Sequence, residues 1–450
     1  MLVTPLAAQS ESDIVQSKKS SPDVAVTAQP ADVAAPDKPL TLLYVRQPGR
    51  RADDAAIFGE GLADAVAAIN QRDGGLNNVP LALTECDASS GENEKQLFDD
   101  DSCGGKAKEA LLAIVWPRED VQRFALAGER DGLPLIAPAS RDILADGGRL
   151  RWSFAPPASM ADQAIALLQI SGTPVAGSET AGRIGLFHTT DDWGVGMRDA
   201  MIGAADLNGT LLQTYSVRPG EAQDVVSTFR DFGGNPPDRL IVWGNDSLAE
   251  TVLREAVKRN YPTDRILGGF ADGAYAVVQA LGTRASGLRV AALAAFGEPD
   301  KQSENSENSE TIDDDAAPVS PVRMAGQLIG AFSIEALGAA QELGETRTPA
   351  RTDVRNALER VRLSPQRMRS LDLAYPSAAF GLSCADHAGS LPIALLQWDG
   401  EKFVRRATPE AKAVPLAMVA SRGDRVKAFA EQIGDNRTAA PPCPATDRSG

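Results

Sequence analysis

Residues 41–84 have the sequence TLLYVRQPGRRADDAAIFGEGLADAVAAINQRDGGLNNVPLALT. The apolar run at its start and a second run at Pro80–Thr84 predict two buried β-strands. The segment between them predicts a helix from about Asp54 to Arg72, because acidic residues occupy its first turn, apolar residues recur at helical spacing and Gly74-Gly75 ends it. A strand, a helix and a second strand in this order predict a parallel βαβ unit.

The same alternation continues to residue 136 and then starts again. Strands are predicted at Leu111–Trp116 and Leu133–Ile136, with a helix between them that begins near Glu119. The second series runs in the order Ser159–Ile170, Arg183–His188, Gly194–Leu207, Leu211–Val217, Ala222–Phe232, Arg239–Trp243, Leu248–Arg259 and Ile266–Gly269. The sequence therefore predicts an α/β fold with two doubly wound parallel-sheet units.

The composition is that of a globular, acidic chain. Its 450 residues are 43% hydrophobic, which is enough for a large core and for two or three folding units of about 100–200 residues each. It carries 45 Lys and Arg against 61 Asp and Glu, and its net charge of −16 argues against nucleic acid and against an anionic membrane surface as partners. No apolar run approaches the roughly 20 residues of a spanning helix, so the mature chain is not expected to insert into a membrane.

Three segments lack the apolar periodicity of folded structure. Residues 1–38 predict a disordered leader or tether, and the first residues resemble the end of a secretory signal peptide. Residues 298–320 predict a disordered, acidic surface insertion, and residues 433–450 predict an irregular tail.

The four cysteines are candidates for disulfide bonds. Cys86 and Cys103 flank a polar loop and either close it in an oxidising compartment or remain two free buried thiols. Cys384 could tie down the tail through Cys443. None has the C-x-x-C spacing of a zinc or redox site, so no metal is expected.

Catalytic constellations are scarce, and the chain is expected not to be an enzyme. Its two histidines, His188 and His387, have no metal-ligand spacing, and the pair Cys384 and His387 is expected to point in different directions on a strand and loop. No G-x-S-x-G or P-loop motif occurs, and the G-x-G stretches at residues 59–61 and 194–196 lack the third glycine of a dinucleotide site. No cofactor is therefore expected.

Two residues on either side of one predicted strand-helix connection are candidates for ligand contact. One ends the strand and the other lies at the start of the helix. His188 ends a strand at the carboxyl edge, where it could touch a ligand or serve as a capping or surface imidazole. Gly194 is expected to free backbone N–H groups at a helix start for the anionic oxygens of a ligand.

Several segments together resemble a known family. They are 68–76 (AINQRDGGL), 79–83 (VPLAL) with Asp87, 132–140 (GLPLIAPAS), 184–187 (IGLF), 191–196 (DDWGVG), 237–244 (PDRLIVWG), 325–340, 354–358 (VRNAL) and 396–403 (LQWDGEKF). Over residues 39 to about 405, the chain resembles the type I periplasmic solute-binding proteins, the leucine/isoleucine/valine-binding-protein-like components of ABC transporters. The resemblance implies two doubly wound lobes joined by a three-strand hinge. Lobe 1 would comprise residues 39–157 plus 287–377, and lobe 2 residues 158–286 plus 378–432.

The resemblance also implies a cleft between the lobes that closes over a ligand by a hinge motion. Carried over by motif, the ligand-binding residues would be Trp116, Arg118, Glu119, Ala139, Ser140 and Arg141 in lobe 1, and Trp193, Gly194, Trp243, Asn245 and Asp272 in lobe 2. Amino-acid binders of the family carry a small hydroxyl pair where this chain has residues 116–120, WPRED.

Arginines could replace that hydroxyl pair. Arg118 and Arg141, with Arg50 or Arg51, would grip an anion bidentately, or else serve as surface partners of neighbouring acids. Asp272 would receive a ligand ammonium, or else stabilise a helix N-terminus. Trp193 and Trp243 would sandwich an apolar part of the ligand, or else pack as structural aromatics.

The expected function is transport. The resemblance implies a periplasmic "Venus flytrap" that captures a small polar, carboxylate-bearing solute, an amino acid or an organic acid, and delivers it to an ABC transporter permease. The alternatives are a ligand-binding sensor subunit on the same fold and, least supported, an α/β enzyme.

Overall fold

The computed structural model describes residues 38–46, 52–88, 103–116, 121–138, 150–156, 160–172, 182–244, 246–269, 274–292, 321–364, 366–367, 380–389 and 394–406. The predicted leader apart from Lys38, the predicted insertion at 298–320 and the predicted tail at 433–450 lie outside the described residues. Residues Lys38–Gly450 fall in one compact unit that contains all of the strands and helices given below.

The strands, in chain order, are β1 (Leu40–Arg46), β2 (Leu81–Asp87), β3 (Leu112–Trp116), β4 (Leu135–Ile136), β5 (Ser153–Phe154), β6 (Ile184–Thr189), β7 (Leu212–Val217), β8 (Arg239–Trp243), β9 (Ile266–Gly268), β10 (Arg289–Ala292), β11 (Arg362–Leu363), β12 (Phe380–Gly381), β13 (Ala394–Trp398) and β14 (Phe403–Arg406). The α-helices are α1 (Ala52–Asp73), α2 (Gly104–Glu109), α3 (Val121–Asp131), α4 (Met160–Gly172), α5 (Asp192–Asn208), α6 (Ala222–Asp231), α7 (Asp246–Lys258), α8 (Ala274–Leu281), α9 (Pro321–Leu343) and α10 (Arg351–Leu358). Short 3₁₀ turns lie at Thr263–Arg265 and Gly282–Ala285.

The first sheet is parallel and has the strand order β2-β1-β3-β4-β5. Along β1, alternate residues enter different hydrophobic clusters: Leu42 and Tyr44 lie on the side of α1, α9 and α10, whereas Leu43 and Val45 lie on the side of α2 and α3. Both faces are therefore covered, as expected for a parallel sheet with crossover helices.

The second sheet has the order β14-β13-β10-β9-β8-β6-β7. Its strands from β6 to β10 pair in parallel, and β13 and β14 add an antiparallel edge. One face packs on α4 and α5 and the other on α6, α7 and α8. The prediction of an α/β fold with two doubly wound sheets is confirmed.

Strand pairing places two short strands on the other side of the predicted lobe boundaries. β10 pairs with β9 and β13, so residues 289–292 belong to the second sheet, whereas the sequence analysis assigns them to lobe 1. β12 pairs with β11, and the neighbouring Leu382 lies in the core of the first sheet, whereas residues from 378 onward are assigned to lobe 2. Both strands are too short for periodicity to reveal their partners.

Helices α1 and α9 cross at a point where their backbones touch. A β-carbon at Gly61 would overlap the carbonyl oxygen of Arg323, and one at Gly326 would overlap the carbonyl oxygen of Phe58. Beside the crossing, the Arg323 guanidinium donates to Asp64 with Nε···Oδ2 at 2.7 Å. Glycine at these helical positions therefore allows an approach that any side chain would block.

The cysteines among the described residues form disulfide bonds. Cys86 and Cys103 are joined, with their Cα atoms 5.4 Å apart, which confirms the closed-loop interpretation over the two free thiols. Cys384 is also disulfide-bonded. Its predicted partner, Cys443, lies outside the described residues.

Candidate functional site at the carboxyl edge of the second sheet

Parallel strands bring their carboxyl ends to one edge of a sheet, and in open α/β folds ligands bind there. In the second sheet, β6 ends at Thr189, β8 at Trp243 and β9 at Gly268. The register aligns His188 with Trp243 and Val242 with Gly268. The loops that carry the predicted lobe 2 residues therefore begin at neighbouring points of this edge.

Trp193 and Trp243 lie against each other at this edge. Their ring centroids are 4.7 Å apart at an interplanar angle of 37°. Trp193 is 8% exposed and Trp243 is 1% exposed, and both belong to the hydrophobic cluster under α4 and α5. The structure thus brings the two predicted residues together as a core pair, with Trp193 the more accessible of the two.

The start of α5 is held by a side-chain cap. The carboxylate of Asp191 accepts a hydrogen bond from the Gly194 N–H at 2.8 Å and another from the Thr189 hydroxyl at 2.9 Å. The N–H of Gly194 itself is thus already bonded within the chain, and the part of this helix start in ligand binding stays a prediction. Glycine is required here for a different reason, since a β-carbon would overlap the Thr189 carbonyl oxygen.

Thr189 and Asp191 are residues whose role the sequence analysis did not identify. An aspartate immediately before a helix is a strong N-cap signal, and it predicts a bond to a backbone N–H two or three residues further on. Applied to residues 191–194, that rule would have assigned the Gly194 N–H to Asp191.

His188 is a buried structural histidine. Its side chain is inaccessible, Nδ1 lies 2.9 Å from the Thr189 carbonyl oxygen and Nε2 lies 3.1 Å from the Ser216 hydroxyl oxygen. A carbonyl only accepts, so Nδ1 carries the hydrogen and Nε2 accepts from Ser216. Burial lowers the pKa of His188, with a smaller opposing effect from its bond to Thr189. The imidazole is therefore not a surface group, and both of its ring nitrogens already have partners within the chain.

Because the folded state disfavours protonated His188, stability should fall as the pH drops below the ordinary histidine value of about 6.5. The stabilisation that neutral His188 gives is complete above that value and is lost as the pH falls through the lowered pKa of the folded state. We expect the free energy of unfolding, measured with urea between about pH 7.5 and 5, to decline less steeply in His188→Gln than in the wild type. Parallel curves for the two proteins would contradict the assignment.

A small open depression adjoins the capped helix start, with room for little more than one water molecule. Thr189, the loop after β7 with Arg218, and the first turn of α7 with Ser247 form its walls. Arg218 donates to Asp224 on α6, with Nη2···Oδ1 at 2.8 Å. The carboxyl edge therefore offers hydroxyl groups, but little enclosed volume, next to the predicted lobe 2 residues.

In the first sheet, Trp116 ends β3 and is stacked on Phe58 of α1, with ring centroids 4.6 Å apart. It is 1% exposed and belongs to the main core. The other predicted ligand residues, Arg118, Glu119, Ala139, Ser140, Arg141, Asn245 and Asp272, lie outside the described residues, as do Arg50 and Arg51.

Among the residues that the structure describes, no three His, Cys, Asp or Glu side chains come together as metal ligands would. Within the same residues, no helix combines the length and the apolar character needed to cross a bilayer.

Comparison with known proteins gives matches among solved structures alone. No family model matches the sequence, and no curated protein matches it. A branched-chain amino acid ABC transporter protein from Thermus thermophilus with bound valine matches at a TM-score of 0.65 and 16% identity, over 84% of this chain and 98% of that one.

The chain has the fold of a type I periplasmic binding protein. An ABC transporter permease from the Pseudomonas fluorescens group matches at a TM-score of 0.75 and 19% identity, over 91% of this chain and all of that chain. A fatty acid ABC transporter substrate-binding protein from Thermomonospora curvata matches at 0.63 and 14%, over 84% of this chain and 95% of that one. The type I periplasmic binding fold that the sequence motifs imply is thereby confirmed.

Proposed function

We propose that this protein is an exported solute-binding protein that captures a small polar, carboxylate-bearing solute and delivers it to an ABC permease. The observation that carries the proposal is the match over nearly the whole length of the valine-bound Thermus protein. Such a match covers both lobes and the connections between them, which are the parts a capture-and-closure mechanism needs.

The chain passes between the two sheets three times. It leaves the first sheet after β5 for α4, returns between β10 and α9, and leaves again between β12 and β13. Three connections of this kind form a hinge about which two lobes close. The carboxyl edge with Trp193 and Trp243 then supplies the lobe 2 side of the binding site.

The solute class follows from two of the matched proteins and from the cations of this chain. Valine and fatty acids differ in size and polarity, but both carry a carboxylate. We assign the carboxylate to Arg118 and Arg141, because a guanidinium binds both oxygens of such a group. Ala139, Ser140, Asn245 and Asp272 complete the proposed site, and Asp272 would hold the ammonium of an amino acid.

Export is supported by the disulfide chemistry. The Cys86–Cys103 bond forms and persists in oxidising compartments such as the periplasm. A periplasmic binding protein needs no cofactor and no catalytic group, so binding and closure are the whole of the proposed activity.

A thermal-shift screen tests the proposal with the full chain against amino acids, aromatic acids, dicarboxylates, fatty acids and uncharged amides. A ligand that binds only the folded state stabilises it by about 2.7 kcal/mol at 100 times its dissociation constant. We expect one carboxylate-bearing class to raise the unfolding midpoint and the amides to leave it unchanged. Arg118→Ala and Arg141→Ala should lose that response, whereas Arg254→Ala, at an exposed pair on α7, should keep it. A response to amides alone, or to no compound, would overturn the proposal.

A further inference from the structure

Strand β7 lies at an edge of the second sheet and pairs only with β6. The Ile184 N–H donates to the carbonyl of Leu211, so the odd-numbered residues of this segment bond to β6. The backbone groups of Leu212, Thr214 and Ser216 therefore face away from the sheet. Within the part of the chain that the structure describes, these three residues make no backbone hydrogen bond on that outer side.

The edge of the first sheet at β2 is different, because side chains occupy its outer backbone groups. The Asn70 amide donates to the Leu81 carbonyl and accepts from the Leu81 N–H, both at 2.9 Å. The Lys106 ammonium donates to the Glu85 carbonyl at 2.7 Å. β2 also carries the acids Glu85 and Asp87. Bonded backbone groups and charges of one sign both oppose the addition of another strand.

The other two edges of the large sheets are also protected. β5 has two residues, and the Ala155 N–H beside it donates to the carbonyl of His387 at 2.9 Å. β14 ends in Arg405 and Arg406. β7 has six residues, LQTYSV, without a charge or a proline. Among the edges that the structure describes in the two large sheets, β7 therefore offers the longest uncharged and unoccupied one.

We propose that β7 pairs antiparallel with β7 of a second copy of this chain, about a two-fold axis at Thr214. Such a pairing places Thr214 opposite itself and Leu212 opposite Ser216, and residues in each of these pairs exchange two hydrogen bonds. It also places Leu211 opposite Val217. Leu211 is 67% exposed, the most of any large hydrophobic residue described, whereas Val217 belongs to the cluster on α6, α7 and α8. The contact would extend that cluster across the interface.

Charge favours a second copy of this chain as the partner. A strand that pairs with itself must not bring like charges together, and β7 meets this condition whereas β2 and β14 carry charges of one sign. The same register places Arg218, with a 66% exposed side chain, opposite Thr210 of the second copy. Thr210 follows the end of α5, where the helix carbonyls and the exposed Asp206 favour a cation. Two-fold symmetry repeats this complementary contact.

The proposed pairing uses the side of the sheet and leaves the carboxyl ends of its strands open. It therefore does not depend on solute binding, and its test needs no solute.

Sedimentation velocity of the full chain tests the pairing. Between about 1 and 100 µM protein, we expect the weight-average mass to rise toward that of two chains. Thr214→Lys places two ammonium groups opposite each other at the two-fold axis and should weaken dimerisation at least about tenfold. Thr283→Lys adds the same charge at an exposed position just before β10, on the far side of β8, and should dimerise as the wild type does. A chain that stays monomeric, or a dimer that Thr214→Lys leaves unaltered, would overturn the proposal.

Cross-linking tests the register and does not require Thr214→Lys to fold. In the proposed pairing, the two Cα atoms of residue 214 are about 5.5 Å apart. We expect a short bismaleimide to join two chains through Thr214→Cys but not through Thr283→Cys, as seen on a denaturing gel. Circular dichroism checks that each variant is folded. Folded Thr214→Cys protein that yields no more cross-linked dimer than Thr283→Cys would refute the pairing.

Discussion

Glu359→Ala should lower the free energy of unfolding by about 3–5 kcal/mol, because it leaves Arg355 and His387 buried without their shared carboxylate. The Arg355 guanidinium and the His387 imidazole would then lack their common acceptor in a site that water scarcely reaches. Urea unfolding at about pH 6, followed by circular dichroism, measures the change, and an unaltered denaturant slope would show that the two curves are comparable.

Glu250→Ala is the matched control for that variant. Glu250 pairs with Arg254 on α7 at 2.8 Å, but the two side chains are 44% and 54% exposed. Solvent screens such a pair, so its loss should cost no more than about 0.5 kcal/mol. Equal losses in the two variants would show that burial of the cluster of Arg355, Glu359 and His387 does not matter.

Gly61→Ala should destabilise the protein by about 3 kcal/mol, although alanine is the better helix former. The added methyl would overlap the backbone of Arg323 on α9, and a backbone carbonyl in a helix cannot rotate aside as a flexible side chain can. The two helices would have to separate along the face that covers the first sheet. Urea unfolding measures this loss.

Gly203→Ala should change the free energy of unfolding in the opposite direction to Gly61→Ala. Gly203 lies inside α5, and a β-carbon there would meet no atom within 4 Å. The change should therefore stabilise the protein by about 0.5–1 kcal/mol through the lower entropy of the unfolded chain. If both alanine variants changed the free energy of unfolding in the same direction, close packing at Gly61 could not be the cause.

The elements with strong local patterns could be predicted from sequence. The strand at Arg239–Trp243 was predicted with the bounds that the structure shows, and the helix expected at Asp54–Arg72 extends over Ala52–Asp73. In both elements, the apolar pattern stops within a few residues of the sequence signal that marks the end of a strand or helix. β5, β11 and β12 span two residues each, which is too short for any period to be visible, whereas the equally short β4 lies inside the predicted strand at Leu133–Ile136.

Contacts between distant parts of the chain could not be predicted in this way. The Asp64–Arg323 pair beside the helix crossing joins residues 259 positions apart, and the His387–Ser153 bond joins residues 234 positions apart. Periodicity identifies which face of an element is buried but not which element covers it. Spacing along the chain shows His387 only as a poor partner for Cys384, and its contacts with Ser153 and Glu359 become visible only from the fold.

The candidate site was predicted in part. Trp193 and Trp243 were expected at neighbouring strand-end loops and are found there in contact. The bond from the Gly194 N–H to the Asp191 carboxylate was not predicted, although an aspartate before a helix commonly accepts from such an N–H.

Titration calorimetry of the full chain, refolded to remove any bound solute, tests the central claim most directly. Each compound of the panel is titrated into the wild type and into Arg118→Ala. Solute capture predicts that one carboxylate-bearing class saturates the wild type at one molecule per chain and that the arginine variant binds it at least about tenfold more weakly, as for the loss of a hydrogen bond to a charged group. Folded protein that gives no saturable heat with any carboxylate-bearing compound would contradict the account.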